Sequence, residues 1–176
     1  GAVAASTVLF ARVGLATLVL HPPLARLLLW YLVPPFLLGL GVFALGRRAA
    51  PADADTVVDR PTNPLQLAAA LQMAVLFQAV LIAVELTRRV WGNLGVMLSG
   101  TVLGLTDVDA LTFSMARAAA SGLPLDVAAR AIATGLMANT ALKLVLAVVL
   151  GARGFRNLVA AGLSGMAIAL ALALVF

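Results

Sequence analysis

Apolar residues in this chain come in long unbroken runs, not in the alternating or one-faced stripes of a soluble fold. About 20 consecutive apolar residues cross a bilayer as a helix, and several stretches approach that length. Residues 2–20 form the first, carrying one charge, Arg12, and closed by His21-Pro22-Pro23. Residues 27–45 form an uncharged second run with Pro34-Pro35 at its centre, closed by Gly46-Arg47-Arg48. Proline lacks a donor and restricts its predecessor, so this pair predicts a kink or a break. Residues 65–84, 125–150 and 158–176 complete five ordinary spans.

Between the third and fourth spans lies a different pattern. Residues 90–106 are short for a span and rich in glycine: Gly92, Gly95, Gly100 and Gly104. Residues 110–120 are too short to cross alone, and Ser121-Gly122 and Pro124 separate them from the next helix. Residues 90–120 therefore read as one interrupted or re-entrant element. The expected fold is an all-α polytopic transmembrane bundle of five spans plus this element, one domain over residues 1–176. An aqueous loop at 49–63, with Asp53, Asp55, Asp59 and Arg60, divides the spans of 1–48 from those of 64–176.

Composition supports a bilayer as solvent. The 176 residues are 63% hydrophobic and 11% charged, against about 25% charged for soluble domains, and mean hydropathy is +1.10. The net charge of +5 comes from scattered basic residues without interleaved aromatics, which argues against nucleic acid. Lysine and arginine fall on both sides of any topology, so charge sets no orientation. There is no cysteine, which excludes disulfides and thiolate metal sites. The start at Gly1, already apolar by Ala2, predicts a processed or truncated beginning and no signal peptide.

Candidate chemistry concentrates in Gly104-Leu-Thr-Asp-Val-Asp-Ala110. Thr106 is placed to cap a helix beginning at Asp107, with Asp109 at its third position. First-turn acids face the positive end of the helix dipole, so a surface cap is one reading. The other uses the glycines. A helix broken at depth is tolerated where it lines a cavity, and such breaks form transporter sites. Asp107 and Asp109, with Thr106, Thr112 and Ser114, then supply oxygens suited to magnesium or manganese. Arg12, near the middle of the first span, and Lys143, in the fourth ordinary span, are expected to find partners in these acids. Asn139 and Thr140 lie deep in that same span. If both acids pair with both bases the site is neutral, and an anion or a proton becomes as good a passenger as a cation. Gln66, Gln72 and Gln78 are expected to bond between helices, Arg117 to meet a helix C-terminus, Asp126 and Arg130 to pair at i, i+4, and His21 to be solvated in a turn.

A weak internal echo links Ala5-Ser6-Thr7-Val8-Leu9 to Ala138-Asn139-Thr140-Ala141-Leu142. A basic residue follows each, five positions after the threonine in the first and three in the second; on a helix those offsets point to different faces, so the copies cannot be equivalent. It suggests a degenerate repeat.

Three stretches, "NPLQLAAAL" at 63–71, "GLTDVDALTFSMAR" at 104–117 and "MANTALKLVLAVVLG" at 137–151, together resemble the DUF4010 family, a C-terminal part of MgtC/SapB-type membrane proteins. The resemblance rests on Gly-Leu-x-Asp-x-Asp-Ala, on Asn139-Thr140-x-x-Lys143, and on Ser6-Thr7 followed by Arg12. It implies a bacterial cytoplasmic membrane protein connected with magnesium or another divalent ion, and an earlier segment that this chain lacks. The function expected is an integral membrane transporter, or transport-related protein, for a small inorganic ion. Its site is Asp107, Asp109, Thr106, Thr112, Asn139, Thr140, Lys143 and Arg12, with Asp107 and Asp109 as metal ligands. Its partners are the lipid bilayer and the ion, with a homo-oligomer left open. The alternative is an accessory or regulatory membrane subunit whose buried charges are structural. Enzyme activity is not expected: Gly104-Leu-Thr-Asp107 only faintly echoes an intramembrane aspartyl protease, which needs two facing aspartates.

Overall fold

A computed structural model describes residues 2–49, 78, 82, 86, 91–150 and 153–175. All the regular structure among them is helical. Helices α1 (Ala2–Leu20) and α2 (Pro22–Ala49) come first. Residues 91–106 form α3, followed by α4 (Val108–Ala120), α5 (Leu125–Leu150) and α6 (Arg153–Val175). The aqueous loop and most of the expected span at 65–84 lie outside the described residues, as do Gln66 and Gln72. Gln78 is helical and exposed.

Three described helices are long and apolar enough to cross a membrane: Val3–Leu20, Pro22–Ala44 and Leu125–Val149. The apolar part of α6, Val159–Val175, is shorter. Large apolar side chains such as Val19, Trp30, Leu37, Val149 and Leu172 are exposed along these helices. In water that surface would drive aggregation; it suits contact with lipid.

Several boundaries differ from the sequence reading, α2 also running on past 45 to Ala49. The second span begins at Pro22 rather than 27. Proline suits the first position of a helix because the N–H it lacks has no intrahelical partner there. His21 also caps this start: its Nδ1 accepts from the Leu24 amide at 3.2 Å. The last helix begins at Arg153 rather than 158, since charge ends an apolar run without ending a helix. Pro34-Pro35 neither breaks nor terminates α2, which runs through both.

The helices form two antiparallel hairpins around a shared core. Helix α1 packs on α2, and α5 on α6, with α2 also against α5 and α6. Leu27, Trp30 and Tyr31 near the start of α2 share a cavity of about 630 Å³ with Asp126 at the start of α5 and Leu172 near the end of α6. So α2 and α5 run in one direction, and α1 and α6 in the other. Phe10, Val13, Leu24, Leu28, Leu111, Met115, Ile132, Leu136, Leu163 and Met166 fill the core.

The direction of α3 follows from its glycines. A Cβ on Gly100 would lie 2.7 Å from the Ala131 carbonyl oxygen, and one on Gly104 would strike the backbone of Gly135. The contacts ascend together, so α3 runs parallel to α5. Helix α4 returns against α5, since Leu111 packs on Gly135 and only residues 121–124 join the two helices. The chain therefore reverses at Asp107. Helices α3 and α4 are the two arms of a re-entrant hairpin, open on the side where α1 ends and α5 begins. Gly135 is ten residues into α5, which puts the tip about 15 Å inside the bundle at ~1.5 Å per residue.

Candidate functional site at the hairpin tip

Asp107 is the residue at which the chain leaves the helix, with φ −150° and ψ 102°. One carboxylate oxygen, Oδ1, accepts from the amides of Asp109 at 2.9 Å and Ala110 at 3.0 Å. These are two of the four donors that a helix start leaves without partners. The cap is thus Asp107, not Thr106, and Asp109 is the second helical residue rather than the third. Thr106 Oγ1 instead donates back to the Leu103 carbonyl at 3.0 Å. Aspartate outcompetes threonine at a cap, and its charge also meets the positive end of the dipole.

The other end of α4 is closed as firmly. The Gly122 amide donates to Ala119 and the Leu123 amide to Ala118, at 3.2 and 2.9 Å, the Schellman pattern. It needs a left-handed residue, and Gly122 supplies φ +96°. Arg117 is in the last turn, as expected for a dipole partner, with its guanidinium 5.9 Å above the Phe113 ring.

Asn139 supports the far side of the break. Its Nδ2 donates to the Gly104 carbonyl at 3.0 Å, bridging α5 to α3 across 35 residues of sequence. In an unbroken helix that carbonyl would take the amide of residue 108. Asn139 takes the place of the amide that the reversal removed. The other amide atom, Oδ1, is buried and has no partner among the described residues, as is true of Ser6 Oγ.

Arg12 pairs with Asp109, one of the two acids expected for it. Nε meets Oδ1 at 3.1 Å and Nη2 meets Oδ2, a two-point contact. The pair is not sealed: the side chains are 61% and 49% exposed. Arg12 is ten residues from Ala2 and eight from Leu20, so about 12–15 Å of helix separates it from either end. It also lines an open hollow of about 620 Å³ with Val8, Ala11, Leu15 and Ala16.

The remaining candidates are placed less centrally. Thr112 and Ser114 are buried and donate to the carbonyls of Val108 and Ala110 on their own helix, at 2.8 and 2.7 Å. Thr140 does the same to Leu136 at 2.8 Å. Lys143 is half-buried on α5, close enough to feel the charge of Arg12. Asp126 and Arg130 make no ion pair among the described residues; Arg12–Asp109 is the one found there. Nor do those residues gather three of His, Cys, Asp or Glu in a metal-holding group. Sequence reading missed Gly135. Its signal was the spacing of Ala131 and Gly135, which matches that of Gly100 and Gly104.

Broken helix, mid-depth ion pair and lipid-exposed apolar surface define an integral membrane helical protein. The sequence profile described as "Domain of unknown function (DUF4010)" matches residues 1–151, and the chain belongs to that family. No curated protein and no solved structure matches it.

Proposed function

We propose that the chain is an integral membrane transporter, or transport-related protein, of the bacterial cytoplasmic membrane, carrying a small inorganic ion past the tip of the α3–α4 hairpin. One observation carries this reading: an ion pair half open at the middle of a membrane helix, beside a helix break. Charges at that depth are costly and usually line an aqueous path or a substrate site. Discontinuous helices supply ligands in the same way in many transporters.

Magnesium or manganese held jointly by Asp107 and Asp109 has less support than the sequence suggested. Arg12 engages both oxygens of Asp109, and one oxygen of Asp107 caps α4. The accessory-subunit reading draws on the tight Gly104–Gly135 contact and on the neutralised Asp109. Ion flux into proteoliposomes separates the two. Transport predicts flux that Asp109→Asn and Arg12→Gln reduce at least tenfold while the protein still folds. An accessory subunit predicts no flux for any of sodium, potassium, magnesium, manganese, protons or chloride.

A further inference from the structure

Two buried polar atoms have no partner among the described residues, Ser6 Oγ and Asn139 Oδ1. A buried polar atom left without a partner is costly, and these two are related in sequence. They fall on the matching positions of the repeated segments Ser6-Thr7 and Asn139-Thr140. The threonines repeat too: Thr7 donates to the carbonyl of Val3 at 2.9 Å, and Thr140 to that of Leu136 at 2.8 Å. Ser6 precedes the end of α1 by 14 residues, and Asn139 follows the start of α5 by 14. Both helix ends lie on one side of the bundle, so both orphans sit about 21 Å from that side. The repeat, weak as sequence, marks two antiparallel helices with orphaned oxygens at one level.

That level is close to the hairpin tip. The Asn139 amide is planar, so Oδ1 lies beside the Nδ2 that holds the Gly104 carbonyl. The carbonyls of Leu105 and Thr106 end α3, and the amides four residues on, of Asp109 and Ala110, go to Asp107 Oδ1 instead. The second carboxylate oxygen of Asp107 has no hydrogen bond among the described residues. The tip thus offers an amide oxygen, the carbonyl end of a half-helix and one free carboxylate oxygen. These are hard oxygen donors; Arg12 pairs with Asp109, which leaves Asp107 as the acid at the tip that makes no ion pair among the described residues, with Lys143 as the nearby base on α5.

We propose that this tip binds one monovalent hard cation, with sodium as the probe ion. Half-helix carbonyls suit such an ion. Magnesium would have to shed most of its water for a set with one carboxylate, and it dehydrates reluctantly. The inference rests on reading the tip as an ion-transport site.

The test is radioactive sodium binding to the purified full chain in lipid nanodiscs, with potassium, magnesium and manganese as competitors and choline as the ionic-strength control. The expected result is saturable sodium binding that Asp107→Asn weakens at least tenfold. Asparagine caps a helix about as well as aspartate, so this variant keeps the hairpin while removing the charge; its unfolding temperature in choline should not change. Magnesium or manganese binding lost in Asp107→Asn, without sodium binding, would overturn the monovalent assignment and leave the transport reading standing. Anion flux that depends on Arg12, without cation binding, would do the same. No binding and no flux would remove both.

Discussion

The chain carries two helix-breaking sequences in the middle of apolar runs, and they behave oppositely. Pro34-Pro35 looks the more disruptive, yet α2 continues through it. Asp107 looks milder, yet there the chain reverses. Proline removes a donor but holds φ near the helical value, so the helix loses bonds and yet stays helical through both residues. At Asp107 the alternative is built from partners. Its carboxylate takes the amides of Asp109 and Ala110, and Asn139 takes the carbonyl of Gly104. In lipid, where no water replaces a lost backbone bond, a helix breaks where side chains satisfy what the break frees.

Substitutions that remove those partners should therefore matter more than substitutions of the prolines. Gly104→Leu has the largest expected effect. Its side chain has no room against the Gly135 backbone, and the cost should reach about 3 kcal/mol, the upper range for overpacking; loss of the folded species in detergent chromatography is the readout. Asn139→Leu should destabilise by about 1–3 kcal/mol, the cost of an orphaned buried carbonyl, seen as a lower denaturation midpoint. Asp107→Ala should cost about 1 kcal/mol and Asp107→Asn close to none, a contrast that thermal unfolding resolves. Pro34→Ala should act in the opposite direction. It restores a donor to the Trp30 carbonyl and should stabilise by about 1 kcal/mol; a loss of stability would mean that the double proline is itself a functional break. Thr106→Ala should change stability by less than about 0.5 kcal/mol, because Asp107 is the cap.

Much of this was legible in the sequence, for physical reasons particular to each element. The bounds of α1 and α5 are as read, since prolines and charges bracket uniform apolar runs. The interruption within 90–120 was legible because glycines and two acids are expensive in the middle of a span. The cap was misplaced by one residue, since threonine and aspartate stand side by side and both accept amides. The start of α2 was missed because proline was read only as a terminator, although it also suits a first turn. The parallel course of α3 and α5 was not legible. It arises from Gly100 and Gly104 meeting Ala131 and Gly135, and small residues are too common in this chain to show which pairs touch. The partner of Asn139 is likewise a backbone carbonyl, which leaves no trace in residue type.

The central claim is that α3 and α4 enter and leave on the same side of the membrane. The chain contains no cysteine, so single cysteines placed at Asn93, near the start of α3, and at Ser121, after α4, report the two ends directly. A membrane-impermeant maleimide applied to sealed, oriented vesicles should label Asn93→Cys and Ser121→Cys from the same side, while Asp107→Cys, about 15 Å deep, should react more slowly and only with a small thiol reagent. Labelling of Asn93→Cys and Ser121→Cys from opposite sides would show a continuous span and contradict the re-entrant hairpin on which the proposed site depends.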